Sequence, residues 1–197
     1  MQNEYQDPLI QWQDSAISRA QRSGQKSQEA QVIWLTGLSG SGKTTLANAL
    51  EKRLFSLGKH TYLLDGDNIR HGICSDLTFS ERDRLENNRR VGEIAKLMFD
   101  AGLIIICAMI SPFRAQRDAL KKQFPAGRFI EIYVDTPLAV CKLRDPKGLY
   151  EKARFDHGIL MTGDKSIYEA PIQPDLVLQG DALIDDNIEQ IIKTMTI

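Results

Sequence analysis

Val32-Ile33-Trp34-Leu35-Thr36 runs directly into Gly37-Leu38-Ser39-Gly40-Ser41-Gly42-Lys43-Thr44-Thr45. The first five residues read as a short, buried strand. The rest is a Gly-rich turn that opens a helix, with Leu46, Ala49, Leu50 and Leu54 at helical spacing. The turn fits G-x-x-x-x-G-K-[ST], the phosphate-binding loop, and it sits in the setting that motif needs. Its glycines let successive backbone N–H groups curl around a phosphate. The helix N-terminus adds partial positive charge. Lys43 is placed to reach the β- and γ-phosphates, and the Thr44 hydroxyl to ligate Mg²⁺. The plain alternative is a flexible Gly/Ser turn, which the flanking strand and helix disfavour.

Outward from this stretch the chain alternates apolar runs with amphipathic segments. Strands are expected at 31–36, 60–65, 103–109, 128–134 and 175–178, and helices at about 43–57 and 80–102. Pro112 and Pro137 each open a further helix, and Ile184, Ile188, Ile191 and Ile192 mark a last one. Gly58 reads as a helix C-cap and Ser80 as an N-cap. This order implies an α/β fold: a parallel five-stranded sheet with helices on both faces, joined by right-handed crossovers. Ligands in such sheets sit beyond the C-terminal strand ends. Gly37 onward, Asp65-Gly66-Asp67, Met109-Ile110-Ser111 and Asp135 are therefore the candidate positions.

The chain has 197 residues, enough for one such domain at 31–197. Residues 1–30 are polar and read as an extension with one helical turn near 12–20; Trp12 could cover an apolar patch or belong to a mobile tail. The net charge of −1 gives no global basic field for nucleic acid. No run is long and apolar enough to span a membrane, and the N-terminus lacks a signal-peptide apolar region. The 3 cysteines have no C-x-x-C spacing and the 3 histidines are scattered. That argues against a zinc site or a disulfide framework and fits a reducing cytoplasm.

The acids after strand two supply chemistry. Of Asp65 and Asp67, one carboxylate suits Mg²⁺ through water and the other suits the proton of an attacking hydroxyl. The alternative is a solvated Asp-Gly turn. Strand three ends in Ser111-Pro112 rather than in acids, which points away from a motor ATPase. Arg70, Arg82, Arg84, Arg89 and Arg90 cluster nearby. Arg84 and Asn87 share a helical face and with Arg70 could clamp an anionic acceptor by forked hydrogen bonds. Phe79 could stack on a base or staple the following helix. The segment 141–168 carries Lys142, Arg144, Lys147, Lys152, Arg154 and Lys165 between glycines. It suits a lid that excludes water from the phosphates, or else an ordinary surface excursion. Cys107 and Met109 read as core. Ser111 could donate to the acceptor, accept a phosphoryl group, or cap the helix after it.

Seven stretches, taken together, resemble the adenylyl-sulfate (APS) kinase family. They are 35–45 (LTGLSGSGKTT), 64–72 (LDGDNIRHG), 83–91 (DRLENNRRV), 110–115 (ISPFRA), 134–137 (VDTP), 144–150 (RDPKGLY) and 168–171 (YEAP). The likeness runs in the family's order from about residue 12 to the C-terminus. It implies the fold of phosphate-binding-loop kinases and transfer of the ATP γ-phosphoryl to the ribose 3′-hydroxyl of APS, giving PAPS in sulfate activation. It implies Mg²⁺ as cofactor, ATP held by Gly37 to Thr45, Asp65 and Thr44 on the metal side, and Asp67 as base. It implies an acceptor site of Asp67, Asn68, Ile69, Arg70, Phe79, Arg84, Asn87, Ile110, Ser111, Lys147, Met161 and Thr162. A phosphoserine at Ser111 is reported for some bacterial members, although direct transfer needs none. The resemblance further implies a homodimer and sulfate adenylyltransferase as pathway partner.

The sequence departs from the family pattern in four places. Leu160-Met161-Thr162-Gly163 stands where Gly-Phe-Thr-Gly is usual, and Thr78 stands for Gly. Met109 stands for Phe, and Ile167 for Pro. A kinase for another nucleotide with a small anionic tail, and a nucleotide-binding non-enzyme, are the competing readings.

Overall fold

The computed structural model describes residues 9–11, 13–155 and 161–196. The chain enters through α1 (Arg19–Gln25), whose N-cap Ser18 and Gln21 form a reciprocal capping box. The expected turn near 12–20 therefore begins later, where that box supplies a start signal; Trp12 lies outside the described residues. This helix is tied to the body. Lys26 Nζ donates to the Ala101 carbonyl at 2.9 Å, and Gln28 Nε2 to the Gly102 carbonyl at 2.9 Å.

β1 (Gln31–Thr36) is buried along its whole length and leads into α2 (Lys43–Ser56). Gly58, at φ +73°, lets the chain turn after that helix. β2 (Thr61–Asp65) runs straight into a short helix that sequence reading missed, α3 (Gly66–Arg70). Asp65 is its N-cap: the carboxylate accepts from the Asp67 N–H at 3.0 Å. The Asp-Gly-Asp run therefore starts a helix instead of a solvated turn. α4 (Glu81–Asp100) starts on Ser80 as expected. β3 (Ile104–Ala108) follows, then α5 (Arg114–Lys121). This helix opens two residues after Pro112, because Ser111 takes φ +38° and Phe113 is still extended. β4 (Phe129–Asp135), α6 (Leu138–Arg144), α7 (Leu149–Phe155), β5 (Leu176–Gln179) and α8 (Ile184–Thr194) complete the chain.

The strands form one parallel sheet in the order β2-β3-β1-β4-β5. Strand alternation divides the core in two. Ile33, Leu35, Ile104, Ile106, Ile130 and Ile132 pack with Leu46, Leu50 and Leu54 of α2 and with Ile188 and Ile191 of α8. Val32, Trp34, Ile105, Cys107 and Phe129 face the opposite way, onto Val91, Ala95 and Phe99 of α4 and onto Leu120. β1 lies between β3 and β4, so its C-terminal end, and the loop it feeds, falls at the centre of the sheet's carboxyl edge. A third, small cluster of Cys141, Tyr150, Ala153 and Met161, with Leu38 against it, gives the lid segment a core of its own.

Candidate active site

The loop after β1 carries three glycines with positive φ: Gly37, Gly40 and Gly42. Two are sterically required. A Cβ on Gly37 would lie 2.7 Å from the Val134 carbonyl, and one on Gly40 2.9 Å from the Cys141 carbonyl. The loop is thus seated on β4 and α6, with its amides at the start of α2.

Lys43 is folded onto this loop. Its ammonium donates to the Gly37 carbonyl at 3.0 Å and the Leu38 carbonyl at 2.6 Å. Burial is the main influence on it and lowers its pKa to about 8, against partial relief from Cys141 and Asp65. Beside it, Thr44 Oγ1 donates to Asp65 Oδ2 at 2.7 Å. Asp65 is buried and so serves two elements, capping α3 with one oxygen and holding α2 with the other.

These two side chains fit a magnesium ion. A hydroxyl and a carboxylate are hard oxygen donors. Among the described residues no cluster of His, Cys, Asp and Glu forms a closed cage. An ion held by one or two protein oxygens, with phosphates and water for the rest, suits magnesium's reluctance to dehydrate.

The opposite wall is cationic. Arg70 and Arg84 both have guanidinium pKa values lowered by burial, that of Arg84 also by Arg70. Arg70 lies over the Phe79 ring, 4.4 Å from its centroid, and donates to the Leu77 and Thr78 carbonyls. Arg84 holds the Phe79 carbonyl at 2.8 Å and the Thr162 hydroxyl at 2.9 Å. Phe79 itself is 63% exposed, so its ring stands at the cleft beside the two guanidinium groups and is not a staple into the core. Thr78 stiffens its approach: its N–H donates to Asp83 Oδ2 at 2.8 Å and its hydroxyl accepts from the Ser80 N–H at 3.2 Å. Asn87 is buried with its side-chain oxygen unpartnered. Asp67 is ion-paired with Lys147 of the lid, and both side chains are about half exposed.

One cleft of about 880 Å³ joins the two walls. It is lined by the loop from Ser39 to Thr45 (Ser41 excepted), by Asp65 and Asp67, by Arg70, Phe79, Arg84 and Asn87, and by Met109, Ile110 and Ser111. Lys147, Met161 and Thr162 line it from the lid. Other expected residues sit elsewhere. Gly37, Leu38 and Ser41 do not line the cleft: Ser41 is buried and Leu38 packs against the cluster of Cys141, Tyr150 and Met161. Ile69 packs into the core beneath α4, and Asn68 lines an adjoining hollow of about 530 Å³ with His71 and Asn48, which shares Thr44, Asp65, Asp67 and Lys147 with the cleft. Met161 lines the cleft yet is mostly buried in the lid's own cluster. The Ser111 hydroxyl accepts from Trp34 Nε1 and donates to Thr36 Oγ1, each at 3.0 Å, and is 2% exposed. In the lid, 156–160 lie outside the described residues.

Sequence reading missed the far end of the cleft, built by Gly180, Asp181, Ala182, Ile184 and Asn187. Arg144 donates to the Gly180 carbonyl there at 3.0 Å. The signal was available: β5 is parallel to the rest, so its C-terminal end must join the same edge.

The family model described as adenylylsulphate kinase matches residues 29–179. The chain is 54% identical to the adenylyl-sulfate kinase of Yersinia pestis over 189 residues, covering 96% of this chain and 89% of that one. It is 55% identical to the adenylyl-sulfate kinase of Vibrio cholerae over 185 residues, covering 93% of this chain and 86% of the other. Among solved structures it is similar to the Mycobacterium tuberculosis APS kinase in complex with AMPPNP and APS. That match has a TM-score of 0.79 and 43% identity, and covers 84% of this chain and 97% of that one.

Proposed function

We infer the activity from the premise that this chain belongs to the adenylylsulphate kinase family: it is an adenylyl-sulfate kinase. It moves the γ-phosphoryl group of ATP to the 3′-hydroxyl of APS. The observation that carries this for the residues themselves is the facing arrangement of the cleft. A triphosphate loop with Lys43 and Thr44 stands on one side, and a cationic, aromatic clamp of Arg70, Arg84 and Phe79 on the other. Asp65 and Asp67 lie between them.

In the proposed reaction the loop amides and Lys43 bind the donor phosphates. Thr44, with Asp65 through water, would hold magnesium, whose charge would offset that of the phosphates. Arg70, Arg84 and Asn87 fix the phosphosulfate and base of the acceptor, with Phe79 on the ring face. The 3′-oxygen attacks the γ-phosphorus in line. The bond from phosphorus to that oxygen forms, the bond to the bridging β–γ oxygen breaks, and ADP leaves. Asp67 takes the hydroxyl proton. Before transfer, as the lid closes, Lys147 exchanges Asp67 for the γ-phosphoryl oxygens, which frees the carboxylate and places the lysine's charge where it counts most in the transition state. Ser111 is not a covalent carrier on this route, consistent with the commitment of its hydroxyl to Trp34 and Thr36. A homodimer, and sulfate adenylyltransferase as the source of APS, belong to the same proposal. No helix among the described residues is long and apolar enough to cross a membrane.

A coupled ADP-release assay with APS and a panel of other nucleotides tests the reading. ADP release that depends on APS is the expected result. Turnover of another acceptor without turnover of APS overturns it.

A further inference from the structure

Arg117 and Glu131 form an ion pair within the core at 2.6 Å, with side chains 1% and 7% exposed. Neither residue lines the cleft. A buried pair like this adds little stability, since apolar residues of similar volume often serve as well. Its role therefore lies in what it holds.

The guanidinium uses every side of its fork. Nε donates to Glu131 Oε1, one terminal nitrogen to the Ser111 carbonyl at 2.6 Å, and the other to the Glu169 carbonyl at 2.7 Å. Ser111 is the non-glycine residue held at φ +38° in the wall of the cleft, a conformation that needs outside support. Glu169 lies just beyond the lid segment. Its N–H donates to the Pro112 carbonyl at 2.9 Å, and its carboxylate accepts from the Arg114 N–H at 2.7 Å. Next to it, the Tyr168 hydroxyl bonds Thr36 Oγ1, which donates in turn to the Ile110 carbonyl at 2.8 Å. Residues 110–112 and 168–170 are thus one bonded block behind the cleft, and Arg117 reaches both halves of it.

We propose that Arg117, aligned by Glu131, is a positioning residue for the acceptor: it fixes the Ile110–Ser111 wall to the root of the lid, so that APS meets a preset surface. This rests on the reading that residues 110–112 line the acceptor half of the cleft.

The test uses the full chain with Trp12→Phe, which leaves Trp34 as its single tryptophan, bonded to Ser111. Arg117→Lys, Arg117→Met and Arg117→Met/Glu131→Leu are compared for kcat, for KM toward APS and ATP, for Trp34 emission and for Tm. Lysine keeps a charge for Glu131 but has no fork for two carbonyls. The double variant leaves no unpaired buried charge. Arg117→Met should raise the KM for APS by about tenfold or more, leave that for ATP within about twofold, and shift Trp34 emission. Lysine should recover only part of the loss, and the double variant should keep the APS defect with Tm restored. A double or lysine variant with the parental KM for APS overturns the proposal. So does a parallel rise of both KM values that tracks the fall in Tm. A rise confined to ATP overturns the assignment of the cleft's halves as well, which separates the two failures.

Discussion

Thr44 Oγ1 donates to Asp65 Oδ2 at 2.7 Å, joining the first turn of α2 to the end of β2. Both residues are held from elsewhere, Thr44 by the helix and Asp65 by the α3 amide it caps. The pair is thereby a fixed oxygen corner beside the triphosphate loop.

Asp65→Asn keeps one oxygen for the α3 cap, turns an NH2 toward Thr44, whose hydroxyl can rotate to accept from it, and removes the charge. Outer-shell carboxylates of this kind contribute roughly 10- to 100-fold to metal affinity. The magnesium concentration for half-maximal ADP release should rise by about that factor, with little change in Tm. An unchanged magnesium requirement would remove Asp65 from the metal side.

Asp67 is the proposed base. It sits in the first turn of α3, lines the cleft and is paired with Lys147. Asp67→Asn should lower kcat by on the order of 10²-fold or more, as for loss of a general base. Affinity for an ATP analogue, measured by calorimetry, should stay within about twofold, because the loop amides and Lys43 are untouched. Full kcat in the variant would assign the proton to another group.

How much of this was legible in the chain depends on the range of the determinant. The phosphate loop, the five strands and the Ser80 cap are written locally, in spacing and capping chemistry, and the structure reproduces them. The α3 helix was misjudged because Asp-Gly favours a turn in isolation; packing of Ile69 beneath α4 selects the helix. Ser111 looked like a cleft hydroxyl. Its direction is decided by Trp34 and Thr36, more than 70 residues away, and no local pattern encodes that. Met161, which stands where the family pattern has Phe, was placed in the acceptor site by the resemblance alone. The lid's own cluster of Cys141, Tyr150 and Ala153 takes most of its surface.

Lys43 makes a pH prediction. Burial holds its pKa at about 8, against an ordinary value of 10.5. The folded free protein therefore binds fewer protons than the unfolded chain between those values, so this residue's contribution makes stability rise with pH across that window. A bound triphosphate favours the ammonium. Binding should take up protons between about pH 8 and 10.5, and affinity should fall as pH rises through 8. Calorimetry in buffers of different ionisation heat reads the uptake directly. Zero uptake across the window, with flat affinity, would mean that Lys43 is fully protonated before the ligand arrives.

Gly180 tests the far end of the cleft. Its N–H donates to the Asp135 carbonyl at 3.0 Å. An added Cβ would lie 1.8 Å from Thr136 Oγ1 and 2.6 Å from the Ser41 carbonyl. Thr136 itself donates to that same carbonyl at 2.9 Å, so it links β4 to the phosphate loop. Gly180→Ala must push Thr136 away from Ser41 and disturb the loop from behind. Overpacking of this kind costs about 1–3 kcal/mol. Tm should drop, and affinity for ATP should weaken more than affinity for APS, since the strained contact lies under the donor. Thr136→Ala in the same background removes the clashing hydroxyl, although it also breaks the bond to Ser41. It should recover part of the lost Tm. A Gly180→Ala variant with unchanged Tm and ATP affinity would show that the β5–α8 turn moves freely, and that it does not brace the loop.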